Sequence, residues 1–265
     1  MLTFLFFLIV SIMIKYRKAI LIFMLYGIYS DIHANLPALE VVLESMREHG
    51  VERRVCLGDI VGYGASPNEC VALVKENADV CILGNHDSVA IKWDSDVGFN
   101  PYAKTAIEWT QKALSEESKQ YLRSLPYMYE ENDICFVHAS PMSPADWIYV
   151  TDLEDALDAF DHFGETHCFV GHTHSPVIVA MKEEEIPKVI ETGSYVLEPS
   201  ERLLMNVGSV GQPRDRDSRA SYCLFDSEKH SVQLVRLDYD IGETQRVMRD
   251  AGLPMFLIER LELGR

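Results

Sequence analysis

From Leu25 onward, short apolar runs alternate with stretches whose apolar residues recur at helical spacing, the pattern of an α/β protein. Residues 25–30 read as a first strand. Pro37 suits the first turn of a helix on which Leu39, Val42, Leu43 and Met46 share one face. Residues 54–57 and 80–83 predict the next two strands. Between them Ser66-Pro67-Asn68-Glu69 joins a capping box to a proline at the first helical position, so a helix is expected up to about Asn77. Asn100-Pro101 and Ser115-Glu116-Glu117 open two further helices, and residues 134–138 predict a strand. Residues 151–154 have capping-box form ahead of Leu157 and Phe160, and residues 168–170 form a strand that leads into a turn. The later part changes character: 177–181, 187–192, 203–207, 222–225 and 231–237 read as successive antiparallel strands, and Asp240 with Glu243 caps a last helical region. No repeat, low-complexity tract or linker divides the chain, so one domain is expected.

The N-terminus breaks the pattern. Residues 1–14 carry no charge, Lys15-Tyr16-Arg17-Lys18 is basic, and a second apolar run leads to Asp31. A signal peptide would place its basic residues before the apolar run, and a spanning helix needs roughly 20 apolar residues. Neither description fits. Residues 1–23 are therefore expected to lie outside the fold, for example through translation from an upstream start, and residues 24–265 to form the functional domain; a membrane tether is the alternative.

With 265 residues, 48% of them hydrophobic and 25% charged, the chain can bury a substantial core, which excludes a disordered protein. The 41 acidic against 24 basic residues give a net charge of -17, which repels nucleic-acid backbones and anionic lipid surfaces. Neither a nucleic-acid partner nor a stable membrane association is expected. A small phosphate ester can still be received where divalent cations reverse the local field. The six cysteines show no Cys-x-x-Cys spacing and mostly stand in apolar runs, so they read as buried free thiols of a cytoplasmic protein.

Candidate chemistry gathers wherever a strand has just ended. Asp31 and His33 follow the first strand, Asp59 the second, Asn85 and His86 the third, His138 the fourth, and His172 and His174 the next. Loops at the carboxyl ends of α/β strands converge on one cleft, as a metal site requires. On extended backbone Asp31 and His33, two residues apart, point the same way and can chelate one cation. His172 and His174 repeat that spacing and can each serve a different ion; Asp59 has two oxygens with which to bridge, Asn85 offers a neutral oxygen and His138 completes the second set. Taken singly, each has an ordinary structural alternative, since Gly, Asn and Asp form turns and a lone histidine is usually a satisfied core group. Together and in this order the clusters favour metal binding. His49, His162, His167 and His230 stand in no such setting and read as structural.

The ordered set Asp31-x-His33, Gly58-Asp59, Gly84-Asn85-His86-Asp87, His138 and Gly171-His172-x-His174 resembles the motifs of the calcineurin-like metallophosphoesterases. Through residues 58–64, 99–102 and 206–214 it is similar to their small prokaryotic phosphodiesterase branch. The resemblance implies a four-layer αββα sandwich of two mixed sheets flanked by helices. It implies a first metal held by Asp31, His33, Asp59 and His174, and a second held by Asp59, Asn85, His138 and His172. His86 would protonate the leaving oxygen or stabilise its charge without ligating. Ala34 and Ala139 replace glycines common in the branch, and Gly62-Tyr63-Gly64 stands where protein phosphatases carry Asp and Arg, which argues against that activity.

The expected function is hydrolysis of a small phosphodiester or phosphomonoester, in which two divalent ions acidify a shared water and hydroxide attacks phosphorus in line with the leaving oxygen. Mixed nitrogen and oxygen donors suit manganese, iron, cobalt, nickel or zinc. Arg214 is a candidate phosphate contact, with an ion pair to Asp215 or Asp217 as its structural alternative. Tyr63, Trp93, Phe99 and Tyr102 are candidate walls of the leaving-group pocket, with a core role as theirs. A non-catalytic protein-binding scaffold should have lost ligands, and none is missing here; a nuclease should present a basic groove, which the charge of -17 argues against.

Overall fold

The computed structural model describes residues 23–95, 98–183, 185–190 and 193–265. Of the segment expected to stand outside the fold, residues 1–22 lie outside the described residues. The strands are β1 (Leu25–Tyr29), β2 (Arg53–Cys56), β3 (Val80–Cys81), β4 (Met128–Glu131), β5 (Ile134–Val137), β6 (His167–Val170), β7 (Val177–Met181), β8 (Lys188–Ile190), β9 (Ser194–Val196), β10 (Arg202–Asn206), β11 (Ala220–Asp226) and β12 (Ser231–Leu237). The α-helices are α1 (Leu36–Glu48), α2 (Pro67–Asn77), α3 (Asn85–Ala90), α4 (Pro101–Ala113), α5 (Glu116–Arg123), α6 (Leu153–Phe160), α7 (Ile241–Asp250) and α8 (Met255–Glu259).

Two six-stranded mixed sheets result, in the orders β3-β2-β1-β11-β12-β9 and β4-β5-β6-β10-β7-β8. In the first, β1, β2 and β3 are parallel and β11 runs antiparallel to β1; in the second, β5, β6 and β10 are parallel. Tyr26, Ile28, Val55 and Phe225 of the first sheet interleave with Phe136, Phe169, Leu203 and Met205 of the second in one buried cluster. Its aromatic rings sit 5.3 Å apart for Phe169 and Phe225, and 6.0 Å apart for Phe136 and Phe169. Each such buried side chain contributes ~1.5–3 kcal/mol of hydrophobic stabilisation. The outer face of the first sheet packs on α1 and α2 through Leu39, Val42, Met46 and Val71, and that of the second on α6 through Ala156 and Phe160. The layers are therefore α, β, β, α. Strands β5 and β6 are buried along their whole length because both faces are covered, which is why they read as unbroken apolar runs.

Local rules account for the helices with two adjustments. Asn35 caps α1 by accepting from Ala38 N, Ser115 caps α5, and Asp240 caps α7. At α2 the expected capping box does not form: Ser66 makes no side-chain cap bond, and Pro67 alone marks the start. Asp152, not Thr151, caps α6, while Thr151 donates to Asp155 from both its N–H and its hydroxyl. The later strands are not one antiparallel run, because β10 inserts beside β6 in the second sheet while β11 and β12 join the first.

All six cysteines are free, with five buried and Cys81 half-buried. No helix of the described residues is long and apolar enough to cross a membrane.

Candidate metal centre

Five strand ends deliver the candidate ligands to one place, where Asp31, His33, Asp59, Asn85, His138, His172 and His174 are all buried. They do not hang from extended backbone as the Asp-x-His spacing suggests. Asp31, His33, Asp59, His172 and His174 all have positive φ, between 50° and 67°. Non-glycine residues held in this left-handed region store strain, and such residues cluster at functional sites. Main-chain bonds hold them there: Asp31 N–H donates to Gly58 O at 3.1 Å and His33 N–H to Asp59 O at 3.0 Å, locking the first loop to the second.

The donor atoms form two groups linked by a third, in which His33 and Asp59 stand together with His86. Asp31, His33 and His174 make one, and Asp59, His138 and His172 the other. In the first, His33 Nε2 and His174 Nε2 are 3.0 Å apart, and Asp31 Oδ1 lies 3.4 Å from His174 Nε2 and 3.8 Å from His33 Nε2. In the second, His138 Nε2 is 3.4 Å from Asp59 Oδ2 and 3.2 Å from Asn85 Oδ1. Asp59 Oδ2 is also 3.7 Å from His33 Nε2, so a single carboxylate oxygen stands between the groups.

The outward nitrogen of each of three histidines decides what the inward one can do. His33 Nδ1 donates to Val61 O, His138 Nδ1 to Leu57 O and His174 Nδ1 to Gln212 O, at 3.1, 2.8 and 2.6 Å. A carbonyl only accepts, so in the neutral rings the proton stands on Nδ1 and Nε2 presents a lone pair. Two lone pairs facing each other at 3.0 Å, as in His33 and His174, repel unless a cation or proton shares them. Donors ~2.1 Å from a common ion stand ~3.0 Å apart at a right angle and ~3.4 Å apart at a tetrahedral one, the range of the His33–His174, Asp31–His174, Asp59–His138 and Asn85–His138 pairs, while the pairs of His33 with Asp31 and Asp59 are wider. Asp31 Oδ1 and His172 Nε2 are buried without any hydrogen-bond partner. The donor set fits divalent transition metals.

Burial lowers His33 and His174 well below the usual imidazole range, and takes His172 down to about 3 with help from His138. These rings are neutral at pH 7, as ligation requires. Burial also opposes charge on Asp59, but the imidazoles of His138, His86 and His33 outweigh it and hold Asp59 well below the carboxylate range. The reverse holds for His138, where burial is outweighed by the Asp59 and Asp31 carboxylates and the pKa rises to about 9. Burial pushes Asp31 up to about 7 despite His138, with Asp59 adding to the rise.

His86 belongs to the cavity beside the metal donors. Its ring packs at 4.5 Å against both Tyr63 and Phe99, its Nδ1 is buried without a partner, and burial lowers it to about 4, with Arg214 and His138 lowering it further against Asp59. Gly62 makes room for it: at φ +92°, a Cβ there would stand 2.6 Å from His86 Nδ1. A Cβ on Gly84 would strike Asp59 Oδ1 at 2.1 Å, so the third loop approaches the second only as glycine.

The cavity, about 280 Å³, is lined by Tyr63, His86, Phe99, Tyr149, Arg214 and Arg260 among others. Tyr63 and Phe99 are therefore brought to it as expected, whereas Trp93 and Tyr102 are not among its walls. Tyr102 instead stacks at 4.6 Å behind Phe256, which does line it. A larger apolar cavity of about 550 Å³, between α6 and the second sheet, holds none of the candidate ligands. Arg214 makes no ion pair among the described residues; it donates to Gln212 Oε1 and Tyr63 Oη, while Asp215 pairs with Arg236 and Asp217 with Arg219. The structural alternative for Arg214 thus falls away.

Several supporting residues escape sequence reasoning. Asp87 accepts the N–H groups of Ile60, Val61 and Gly84, clamping the second loop to the third. Asn206 donates to Gly171 O and Thr173 Oγ1, which sets the His-x-His turn, and Ser209 Oγ donates to Asp31 O at 2.8 Å. Their sequence signals are only their places in motifs, Asp87 in Gly84-Asn85-His86-Asp87 and Asn206 and Ser209 in the Asn206 to Arg214 stretch. His49, His162 and His167 take the structural roles expected: His49 contacts Ser45 O, His162 contacts Asp158 O, and His167 packs on Phe225.

Residues 24–230 match the calcineurin-like phosphoesterase superfamily domain. An uncharacterised protein of Methanocaldococcus jannaschii is 40% identical over 243 residues, covering 90% of this chain and 98% of its own. The crystal structure of a metallophosphoesterase from Sphaerobacter thermophilus superposes with a TM-score of 0.81 at 42% identity, covering 92% of this chain and all of that one. A hypothetical protein from Pyrococcus horikoshii shares the fold, with a TM-score of 0.74 at 21% identity over 91% of this chain and 98% of its own.

Proposed function

The chain belongs to the calcineurin-like phosphoesterase superfamily, whose members are metal-dependent phosphoester hydrolases, and on that premise we propose that it holds two divalent ions and hydrolyses a small phosphodiester or phosphomonoester. One observation carries the two-ion reading: Asp59 Oδ2 lies 3.7 Å from His33 Nε2 and 3.4 Å from His138 Nε2, as a bridging oxygen would. Asp31, His33, Asp59 and His174 would hold the first ion, and Asp59, Asn85, His138 and His172 the second. Bound there, such ions would supply an acidified water and positive charge for phosphoryl oxygens. The chain's own residues do the rest. Val61, Leu57 and Gln212 carbonyls orient the ligand histidines, Asp87 keeps the second and third loops in register, and His86 donates a proton or hydrogen bond to the leaving oxygen. Arg214 and Tyr63 face the substrate.

Chelation is expected to abolish hydrolysis of a nitrophenyl phosphodiester or monoester, and a divalent transition metal to restore it. Full activity in protein that elemental analysis finds metal-free would overturn the reading.

We also propose that residues 24–265 form the catalytic unit. Met24 is already tied into the first sheet, where its N–H donates to Ser227 Oγ at 2.8 Å and its carbonyl accepts from Ser227 N–H at 3.1 Å. A protein beginning at Met24 is expected to be soluble, metal-loaded and as active as the full chain. Insolubility or loss of activity would place the first 23 residues within the fold.

A further inference from the structure

A separate set of metal-type donors, this one containing sulfur, stands on the outer face of the second sheet. Glu130, Cys135 and Cys168 lie in register across β4, β5 and β6, Glu130 paired with Cys135 and Cys135 with Cys168. Paired positions share a face of the sheet, and both cysteines pack there against Phe160 of α6 and Phe163 of the turn after it. That turn brings a fourth donor, Glu165. Ligand atoms of Glu130, Cys135 and Glu165 all lie within 4.8 Å of one another, and the Cys168 thiol is hydrogen-bonded to Cys135. Cys135 and Cys168 stand near the starts of β5 and β6, whereas the phosphoesterase ligands His138 and His172 lie beyond the ends of those strands.

Burial separates this group from a solvated acidic cluster. Both thiols are fully buried, and Glu165 Oε2 is buried without a hydrogen-bond partner. An unpaired buried carboxylate oxygen costs stability that a bound cation would restore. The turn is not free to swing Glu165 away, because the Arg202 guanidinium donates to the carbonyls of Phe160, Phe163 and Glu165. Burial, with Cys135 and Glu165 beside it, raises the Cys168 thiol well above its ordinary range against the pull of Arg202. The thiol therefore keeps its proton until a cation displaces it. Glu130 is exposed, which leaves an ion a way in.

We propose that Glu130, Cys135, Glu165 and Cys168 form a further metal site, which takes a thiophilic divalent ion such as zinc and is distinct from the phosphoesterase centre. Tetrahedral zinc with two sulfur and two oxygen ligands sets its sulfurs ~3.8 Å apart and each sulfur ~3.6 Å from each oxygen. A closure of about 1 Å from the 4.8 Å limit reaches that geometry. Two thiol protons leave for solvent on binding, and the charge of Arg202 offsets part of what the thiolates and carboxylates bring. Thiolates favour zinc over manganese, so the two kinds of site differ in the ion they retain. The ion ties β4, β5, β6 and the turn before β6 together, bracing the strands that deliver His138 and His172.

The test uses cobalt(II), which substitutes for zinc and shows a thiolate-to-metal charge-transfer absorption only where sulfur is bound. The donors of the phosphoesterase centre are nitrogen and oxygen, so the band reports the new site alone, whether or not the chain hydrolyses any ester. Full-length wild type, Cys135→Ser, Cys168→Ser and Glu130→Gln are titrated without oxygen in a thiol-free reductant, with folding checked by circular dichroism. Wild type is expected to show the band and to bind one cobalt per chain more than either cysteine variant, both of which lose the band. Glu130→Gln changes an exposed side chain, so it keeps the fold while the band-forming ion binds ~10-fold or more weakly. Absence of the band in wild type would overturn the proposal, as would unchanged affinity in Glu130→Gln. So would a band that persists in either cysteine variant, which would move the sulfur ligation to another pair such as Cys56 and Cys81, neighbours across β2 and β3.

Discussion

Asp59→Asn is expected to lose bound metal and hydrolysis together, by ~10²–10³-fold or more in turnover. The reason is positional. Among the described residues, Asp59 is the carboxylate whose Oδ2 approaches both a first-group nitrogen, His33 Nε2, and a second-group nitrogen, His138 Nε2. Replacing it by an amide removes a negative charge that two ions would share, and electrostatic effects of several kcal/mol on transition-state charge translate into rate changes of this size. Its other oxygen accepts from His86 N–H at 2.8 Å, so an amide presenting its oxygen there can keep the loop in place. Folding should therefore survive the substitution, and circular dichroism would check it. Two metals per chain by elemental analysis with near-normal turnover on a nitrophenyl ester would show that Asp59 does not bridge.

The same residue shows what the sequence carries and what it withholds. Asp59, Asn85, His138 and His172 were legible because a strand that ends in an apolar run announces the loop after it, and that loop exposes donor side chains. Burial on both faces made β5 and β6 easy to see. The path of the loops was not legible. Alternation suggested that Asp31 and His33 share a face of extended chain, whereas both residues sit at positive φ, imposed by bonds from Gly58 O and Asp59 O that only the assembled fold supplies. Strands β4 and β9 escaped because Glu130, Glu131 and Ser194 give them little apolar signal. The sheet joined by β10 depends on a partner, β6, which apolar content cannot name. Most hidden were Tyr149, Phe256 and Arg260, which reach the cavity from segments with no motif.

Convergence of that kind explains why His86 can be separated from the metals around it. Removing His86 to alanine leaves Asn85, His138 and Asp59 untouched as donors, and the backbone N–H that serves Asp59 remains. Two metals per chain should stay bound while turnover falls by ~10²–10⁴-fold, the usual contribution of a general acid. On the proposed reading the defect appears at the leaving oxygen, since His86 is held between Tyr63 and Phe99 with an unpartnered Nδ1. Burial keeps the free ring largely neutral at pH 7, with a pKa of about 4, so it acts either as a neutral hydrogen-bond donor or as an acid once a phosphate anion raises its pKa. Both roles matter most for a basic leaving oxygen. With nitrophenolate the deficit of His86→Ala should shrink, and with an alkyl leaving group it should grow. Turnover of wild type and variant across leaving groups of graded pKa, with metal content measured in each preparation, separates the possibilities. An equal loss along the series would remove the role at the leaving oxygen, and a loss of metal would make His86 a ligand or a structural residue.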